Sequence, residues 1–237
     1  MASAFPELPA RVAEIRGRIA DAVARGGHAQ TVRLVAVTKT HGPEAVEAAW
    51  AAGLTEVGEN KVQEAVGKQE ALAGAPCTLG GVRWHLIGHL QTNKAKALPR
   101  FALFHALDRD GLVAAADAVG RSAGRPIEVL VQVNISGEAT KGGYPPSDVP
   151  ALADRLHGCT GLVVRGVMTM APFEADEATL RAVFRGAREA RDRLLQTGHP
   201  ATELSMGMSG DYEVAVEEGA TLVRLGTVLF GARAYPV

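Results

Sequence analysis

Apolar positions along this chain come in two alternating textures. Short aliphatic and β-branched runs recur: "VRLVAV" from Val32, "TEVGE" from Thr55, "RWHLIG" from Arg83 and "FALFHAL" from Phe101. They continue with "IEVLVQVN" from Ile127, "LVVRGVMTM" from Leu162, "ELSMGM" from Glu203 and "LVRLGTVLF" from Leu222. Between them lie Ala-rich stretches such as "PEAVEAAWAAG" and "RAVFRGAREARDRLLQTG", each closed by a glycine where a helix needs a left-handed residue. Ahead of the first run, Leu8, Val12, Ile15, Ile19 and Val23 recur at helical spacing, which predicts an amphipathic N-terminal helix packed on the domain.

The runs are nearly continuous rather than alternating, the pattern of strands covered on both faces in a parallel sheet. Eight of them, each but the last followed by a helical pattern, predict an α/β fold of the (β/α)8 TIM-barrel type, a single domain over residues 1–237. The third run is weak and the last two units are short, so an open doubly wound sheet is the alternative. No GxGxxG follows a strand, and the dinucleotide fingerprint is absent.

Composition narrows the function. The 237 residues are 47% hydrophobic and 22% charged, with a net charge of -1. That gives a sizeable core and no basic excess to attract nucleic acid or an anionic membrane. The two cysteines, Cys77 and Cys159, lack metal or disulfide spacing and fit a reducing, cytoplasmic compartment. Neither a signal peptide nor a membrane-length apolar stretch is evident, so a soluble protein is expected.

In a barrel the chemistry sits at the C-terminal ends of the strands. Those ends supply Lys39, Glu59, Asn60, Gly88 to Asn93, Asn134, Met168 to Met170, Met206 to Ser209, Gly226 and Thr227. The set holds no carboxylate pair and no metal-ligand cluster; one lysine, amides, hydroxyls and glycines remain. Lys39 either ends its strand as a solvated charge or, partly desolvated at the mouth, is an amine able to attack a carbonyl. Lys61, Lys68, Lys94, Lys96 and Lys141 read as solvated. "SMGMSGDYEV" places Ser209 ahead of a helix starting near Asp211, which suits a phosphate or an ordinary N-cap. Arg224 and Gly226 share one strand face, Val223 and Leu225 the other. If the shared face is the interior, Arg224 points toward the same cavity as Lys39. His85 and His105 read as core or strand-end hydrogen-bonders. His28, His41, His157 and His199 show no evident partner.

Six segments together, "LVAVTKTHGPEAV", "EVGENKVQEAVGKQEAL", "WHLIGHLQTNKAK", "VQVNISGEATKGG", "VRGVMTMAP" and "ELSMGMSGDYEVAVEEGATLVRLGTVLFGAR", resemble the YggS/PROSC family of pyridoxal phosphate homeostasis proteins over essentially the whole chain. That family looks like the barrel domain of alanine racemase without its β-rich second domain. The resemblance implies that Lys39 forms an aldimine with pyridoxal 5'-phosphate (PLP) and that Arg224 faces the pyridine nitrogen. It further implies that Ser209 and the backbone of Gly226 and Thr227 hold the phosphate, and that Asn60 lies near the ring. Thr38 stands where the family often has serine and keeps the hydroxyl, and His89 replaces a frequent proline.

A lysine aldimine does not make an enzyme, because amino-acid chemistry also needs an acid/base beside the α-carbon. Alanine racemases take that tyrosine from a second domain, and this sequence is expected to carry none beyond "FGARAYPV". Of Tyr144, Tyr212 and Tyr235, only Tyr144 is expected near the mouth. The leading expectation is a monomeric binding protein that holds PLP and passes it to apo-enzymes. The alternatives are a weak racemase using Lys39 with Tyr144 or water, and a lysine-dependent aldolase. The aldolase expects further charged residues inside the barrel, which the strand ends do not offer.

Overall fold

The computed structural model describes residues 4–138 and 140–231. Eight strands, β1 (Arg33–Val37), β2 (Glu56–Glu59), β3 (Arg83–Leu86), β4 (Leu103–Leu107), β5 (Ile127–Gln132), β6 (Leu162–Met168), β7 (Glu203–Ser205) and β8 (Leu222–Leu225), form a closed barrel in chain order. Every neighbouring pair is parallel. The closing pair sets Leu34 opposite Val223 and Ala36 opposite Leu225. Closure decides against the open sheet, and it explains the continuous apolar runs: all residues of β2, β4 and β8 are buried.

The helices are α1 (Leu8–Gly26), α2 (Glu44–Ala51), α3 (Val62–Ala71), α4 (Pro76–Leu79), α5 (Asp110–Ser122), α6 (Val149–Leu156), α7 (Glu177–Gln196), α8 (Tyr212–Glu217) and α9 (Thr227–Phe230). A 3-10 helix, Thr92–Arg100, takes the place of a full helix after β3. The predicted stripe of α1 is buried at Leu8, Val12, Ile15 and Ile19, while Ala22 is buried in place of the half-buried Val23. The helix ends on Gly27, whose φ of 69° lets its N–H reach Val23 O. Arg18 pairs with Glu213, and Arg25 Nε lies 2.6 Å from Glu217, so α1 is pinned along α8.

One feature departs from the sequence reading. "LVRLGTVLF" is not one strand: β8 stops at Leu225, and Thr227 already begins α9. Tyr235 lies outside the described residues.

Candidate functional site

Strand alternation settles which residues look into the barrel mouth. A Cβ on Gly58 would lie 2.9 Å from a Val35 methyl and 3.3 Å from Ile87, so these three share a face. Glu56 and His85 belong to the same series, and His85 bonds His105, which in turn bonds Ser205. Strands β4 and β7 are not neighbours, so the contact between His105 and Ser205 crosses the interior. Extending each series by two residues carries it from Val37 to Lys39 and from Gly58 to Asn60. In β8 the inward series runs through Arg224 to Gly226, whose Cβ position lies 3.5 Å from Val37 Cβ. Lys39 and Asn60 are both half-buried.

Arg224 is 5% exposed. Its Nη1 donates to Ser205 Oγ at 2.7 Å, its Nη2 to Thr169 O at 3.0 Å, and its backbone N–H to Gly207 O at 3.0 Å. Burial pulls the guanidinium down to about 10, with the nearby Asp211 carboxylate working against that shift. It stays charged at neutral pH.

Neither Ser209 nor Asp211 acts as the ordinary cap of α8. The Asp211 carboxylate accepts from Met208 N at 2.5 Å, behind it in the chain, and Ser209 Oγ accepts from Val228 N at 3.4 Å. Ser209 therefore faces the first turn of α9, where Gly226 is the cap and Thr227 the first residue. Three of the predicted residues, Ser209, Gly226 and Thr227, converge on one helix start with its first-turn N–H groups.

The turn that carries Lys39 is tied down by a residue whose role sequence reasoning missed. Lys68, read as solvated, is 5% exposed. Its ammonium donates to Thr38 O at 2.8 Å, Glu59 Oε1 at 2.6 Å and Glu64 Oε1 at 3.0 Å. Thr38 Oγ1 donates to the same Glu59 oxygen at 2.5 Å, and Thr40 N donates to Glu64 Oε1 at 2.5 Å. Thr40 has a φ of 70°, a left-handed conformation that costs a β-branched residue roughly 1–3 kcal/mol. Burial pushes the Glu59 carboxyl up, while Lys68 and Thr38 oppose the shift. The signal for this cluster was the Glu64–Lys68 spacing of four residues on α3, which puts both on one helix face.

The other lysines divide. Lys61 and Lys96 are exposed, whereas Lys94 and Lys141 are half-buried, Lys141 Nζ reaching Glu138 Oε1 at 2.7 Å. The interior is also more polar than the strand ends suggested, since Glu56, His85, His105, Ser205 and Arg224 all face it. His199, expected to lack a partner, contacts Ala153 O at 2.9 Å through Nε2 and stacks on His157. His28 lies 3.2 Å from Arg188, and His41 packs on Phe5 and Phe230. Tyr144 is buried, with its hydroxyl donating to Asp110 Oδ1 at 2.8 Å.

Comparison with known proteins bears on the family and the fold. The family described as "Alanine racemase, N-terminal domain" matches residues 13–234. The pyridoxal phosphate homeostasis protein of Pseudomonas aeruginosa is 42% identical over 226 residues, covering 94% of this chain and 95% of that one. PipY of Synechococcus elongatus PCC7942, solved with PLP bound, superposes with a TM-score of 0.83 at 36% identity, over 94% of this chain and all of that chain. Alanine racemase of Corynebacterium glutamicum, at 14% identity and a TM-score of 0.68 over 91% of this chain and 61% of that one, shares the fold. The closed barrel, the residues gathered at its mouth and near full-length similarity together place this chain in the alanine racemase N-terminal domain family, among the pyridoxal phosphate homeostasis proteins.

Proposed function

We propose that this protein binds pyridoxal 5'-phosphate at the barrel mouth, holds it covalently on Lys39, and releases or delivers it without turning over amino acids. The observation that carries the reading is the inward placement of Arg224 and Gly226, with Ser209 set against the start of α9 and Lys39 two residues past the inward Val37. The donor set fits the ligand group by group. An amine meets an aldehyde, a buried guanidinium meets a ring nitrogen that accepts, and a hydroxyl with helix-start amides meets a phosphate. Asn60 adds an amide on the same inward series.

Each residue then has a task. Arg224, held by Ser205 and Thr169, orients the ring and keeps its nitrogen unprotonated, because a guanidinium has no proton to spare at neutral pH. Ser209 and the amides of Gly226 and Thr227 retain the phosphate. Lys68, Glu59 and Glu64 fix the turn that would hold the Lys39 amine toward the cofactor aldehyde. Bound PLP supplies an electron sink, which the unprotonated nitrogen weakens.

Weak racemization, the second reading, needs a base opposite Lys39. Tyr144 was the candidate, and burial together with its hydrogen bond to Asp110 raises its pKa above the ordinary value. A phenol held in that state is a poor base. The relatives' name supports the carrier reading, and apo-enzymes that use PLP are the proposed recipients. We take the carrier to be cytoplasmic and monomeric; among the described residues no helix is long and apolar enough to cross a membrane.

The test is to pass protein mixed with PLP through a desalting column and then supply free amino acids. The expected result is that wild type retains about one PLP per chain, Lys39→Ala retains far less, and chiral analysis shows no conversion. Sustained turnover that disappears in Lys39→Ala would establish the racemase instead.

A further inference from the structure

A polar chain crosses the barrel interior beneath Arg224, contributed by five strands. Arg224 Nη1 donates to Ser205 Oγ at 2.7 Å, and Ser205 Oγ lies 2.8 Å from His105 Nδ1. His105 Nε2 lies 2.8 Å from His85 Nδ1. His85 Nε2 is 3.1 Å from Glu56 Oε2, close but not aligned as a hydrogen bond. Ser205, His105 and His85 are wholly buried.

The two ends determine where the protons sit. A guanidinium only donates, so Ser205 Oγ accepts from Arg224 and gives its own proton to its other partner, His105 Nδ1. His105 then carries its proton on Nε2 and donates to His85 Nδ1. His85 in turn carries its proton on Nε2, facing an oxygen of Glu56 that, ionised, only accepts. The reverse order would set a His85 lone pair against that carboxylate at 3.1 Å and leave the buried Ser205 proton without an acceptor.

Surrounding charges favour the same assignment. Burial alone would raise Glu56, but contact with His85, then Arg33 and Arg83, holds it below its ordinary value and therefore ionised. Arg33 Nη1 reaches Glu56 Oε1 at 3.0 Å, and Arg33 Nη2 reaches Glu203 Oε1 at 2.6 Å. Burial above all, with the Arg224 and Arg33 charges nearby, keeps His105 well below its ordinary value and neutral. The Asp211 carboxylate favours the charged form of Arg224.

We propose that Ser205, His105 and His85 are positioning residues, a hydrogen-bond chain of single polarity that runs from Arg224 to His85, whose far edge faces Glu56 at the other end of the barrel, and that it fixes the guanidinium toward the cofactor ring. The chain stands on its own geometry; its consequence for the ring rests on the PLP reading above.

Nitrogen-15 NMR of the imidazoles in the cofactor-free protein tests the polarity directly. Both rings are expected to carry a proton on Nε2 and none on Nδ1. A proton on Nδ1 of either ring would overturn the chain. The companion test compares His105→Gln, which offers an acceptor and a donor, with His105→Leu, which offers neither. His105→Leu is expected to bind PLP about tenfold more weakly, with a displaced absorption band, and His105→Gln to stay within about threefold of wild type. A folded His105→Leu with wild-type affinity and spectrum refutes the positioning role. Failure of His105→Leu to fold leaves the NMR result to decide. Failure of wild type to take up PLP refutes the functional reading while the NMR still decides the chain.

Discussion

At the turn that carries Lys39, a second lysine does the holding. Lys68 spans the ends of β1 and β2 and the flank of α3 through three oxygens, and the strained Thr40 hangs on the same Glu64. Removing one member of a buried ion pair costs about 3–5 kcal/mol, because the remaining charge loses its partner. Lys68→Met is therefore expected to lower urea stability by about 3 kcal/mol and to slow PLP loading, with Glu59→Gln in the same chain recovering part of the stability. Equal stability of Lys68→Met and wild type in a urea titration would remove this clamp from the account. His105 carries a pH signature of its own. Its folded pKa lies well below the ordinary 6.5, so the unfolded chain binds a proton that the folded one refuses. Stability from this group is full above pH 6.5 and falls as pH drops below it, by up to about 1.4 kcal/mol per unit. The slope between pH 6.5 and 5 should shrink in His105→Gln, and an unchanged slope would mean the histidine is not held neutral. The strand-end places of Lys39, Asn60, Ser209, Gly226 and Thr227 and the face that Arg224 shares with Gly226 were legible in the sequence, because the apolar runs mark them. Their roles toward the cofactor came from the family resemblance and stand as proposals. Lys68 and Ser205 were not legible, since a charge on a helix face and a serine inside a short strand look ordinary until the tertiary contact is known.

Among the elements, the weakest sequence signals were the short ones. Strand β3 has four residues and β7 three, too few for a period to register, and β8 passes into α9 across the single residue Gly226. An apolar run of this length does not reveal where strand becomes helix, which is why "LVRLGTVLF" read as one piece. Strand β6 hides another irregularity. Its pairing with β5 sets Val129 opposite Val164 and then Leu130 opposite Gly166, so Arg165 is an extra residue. Gly166 has a φ of 155°, and a Cβ there would lie 1.8 Å from Glu203 O on β7. The backbones of β6 and β7 meet at this point because no side chain intervenes. Gly166→Ala should destabilise the protein by about 3 kcal/mol or more in thermal or urea unfolding. A loss below about 0.5 kcal/mol would mean that the strands separate more easily than the contact implies.

Across the whole molecule, the barrel keeps two polar systems apart. One lies outside the wall, where Glu59, Lys68 and Glu64 hold the Lys39 turn. The other runs down the interior from Arg224 to Glu56. One ends beside Lys39 and the other at Arg224, both proposed to hold the cofactor, so the scaffold fixes the Lys39 turn and a guanidinium from opposite sides of the sheet. Barrel closure and the α1 stripe followed from periodicity, whereas the polar interior did not, because Glu56, His85 and His105 sit in runs that read as plain strands. Lys39 is the residue on which the proposed cofactor site depends. The most direct test is the visible absorption spectrum of the protein with PLP, taken before and after borohydride, followed by mass mapping of the modified peptide and with Lys39→Ala alongside. A yellow protein that becomes covalently labelled at Lys39, and a mutant that takes no label, is the predicted result. A wild type that stays colourless with added PLP, or a label carried on another lysine, would contradict it.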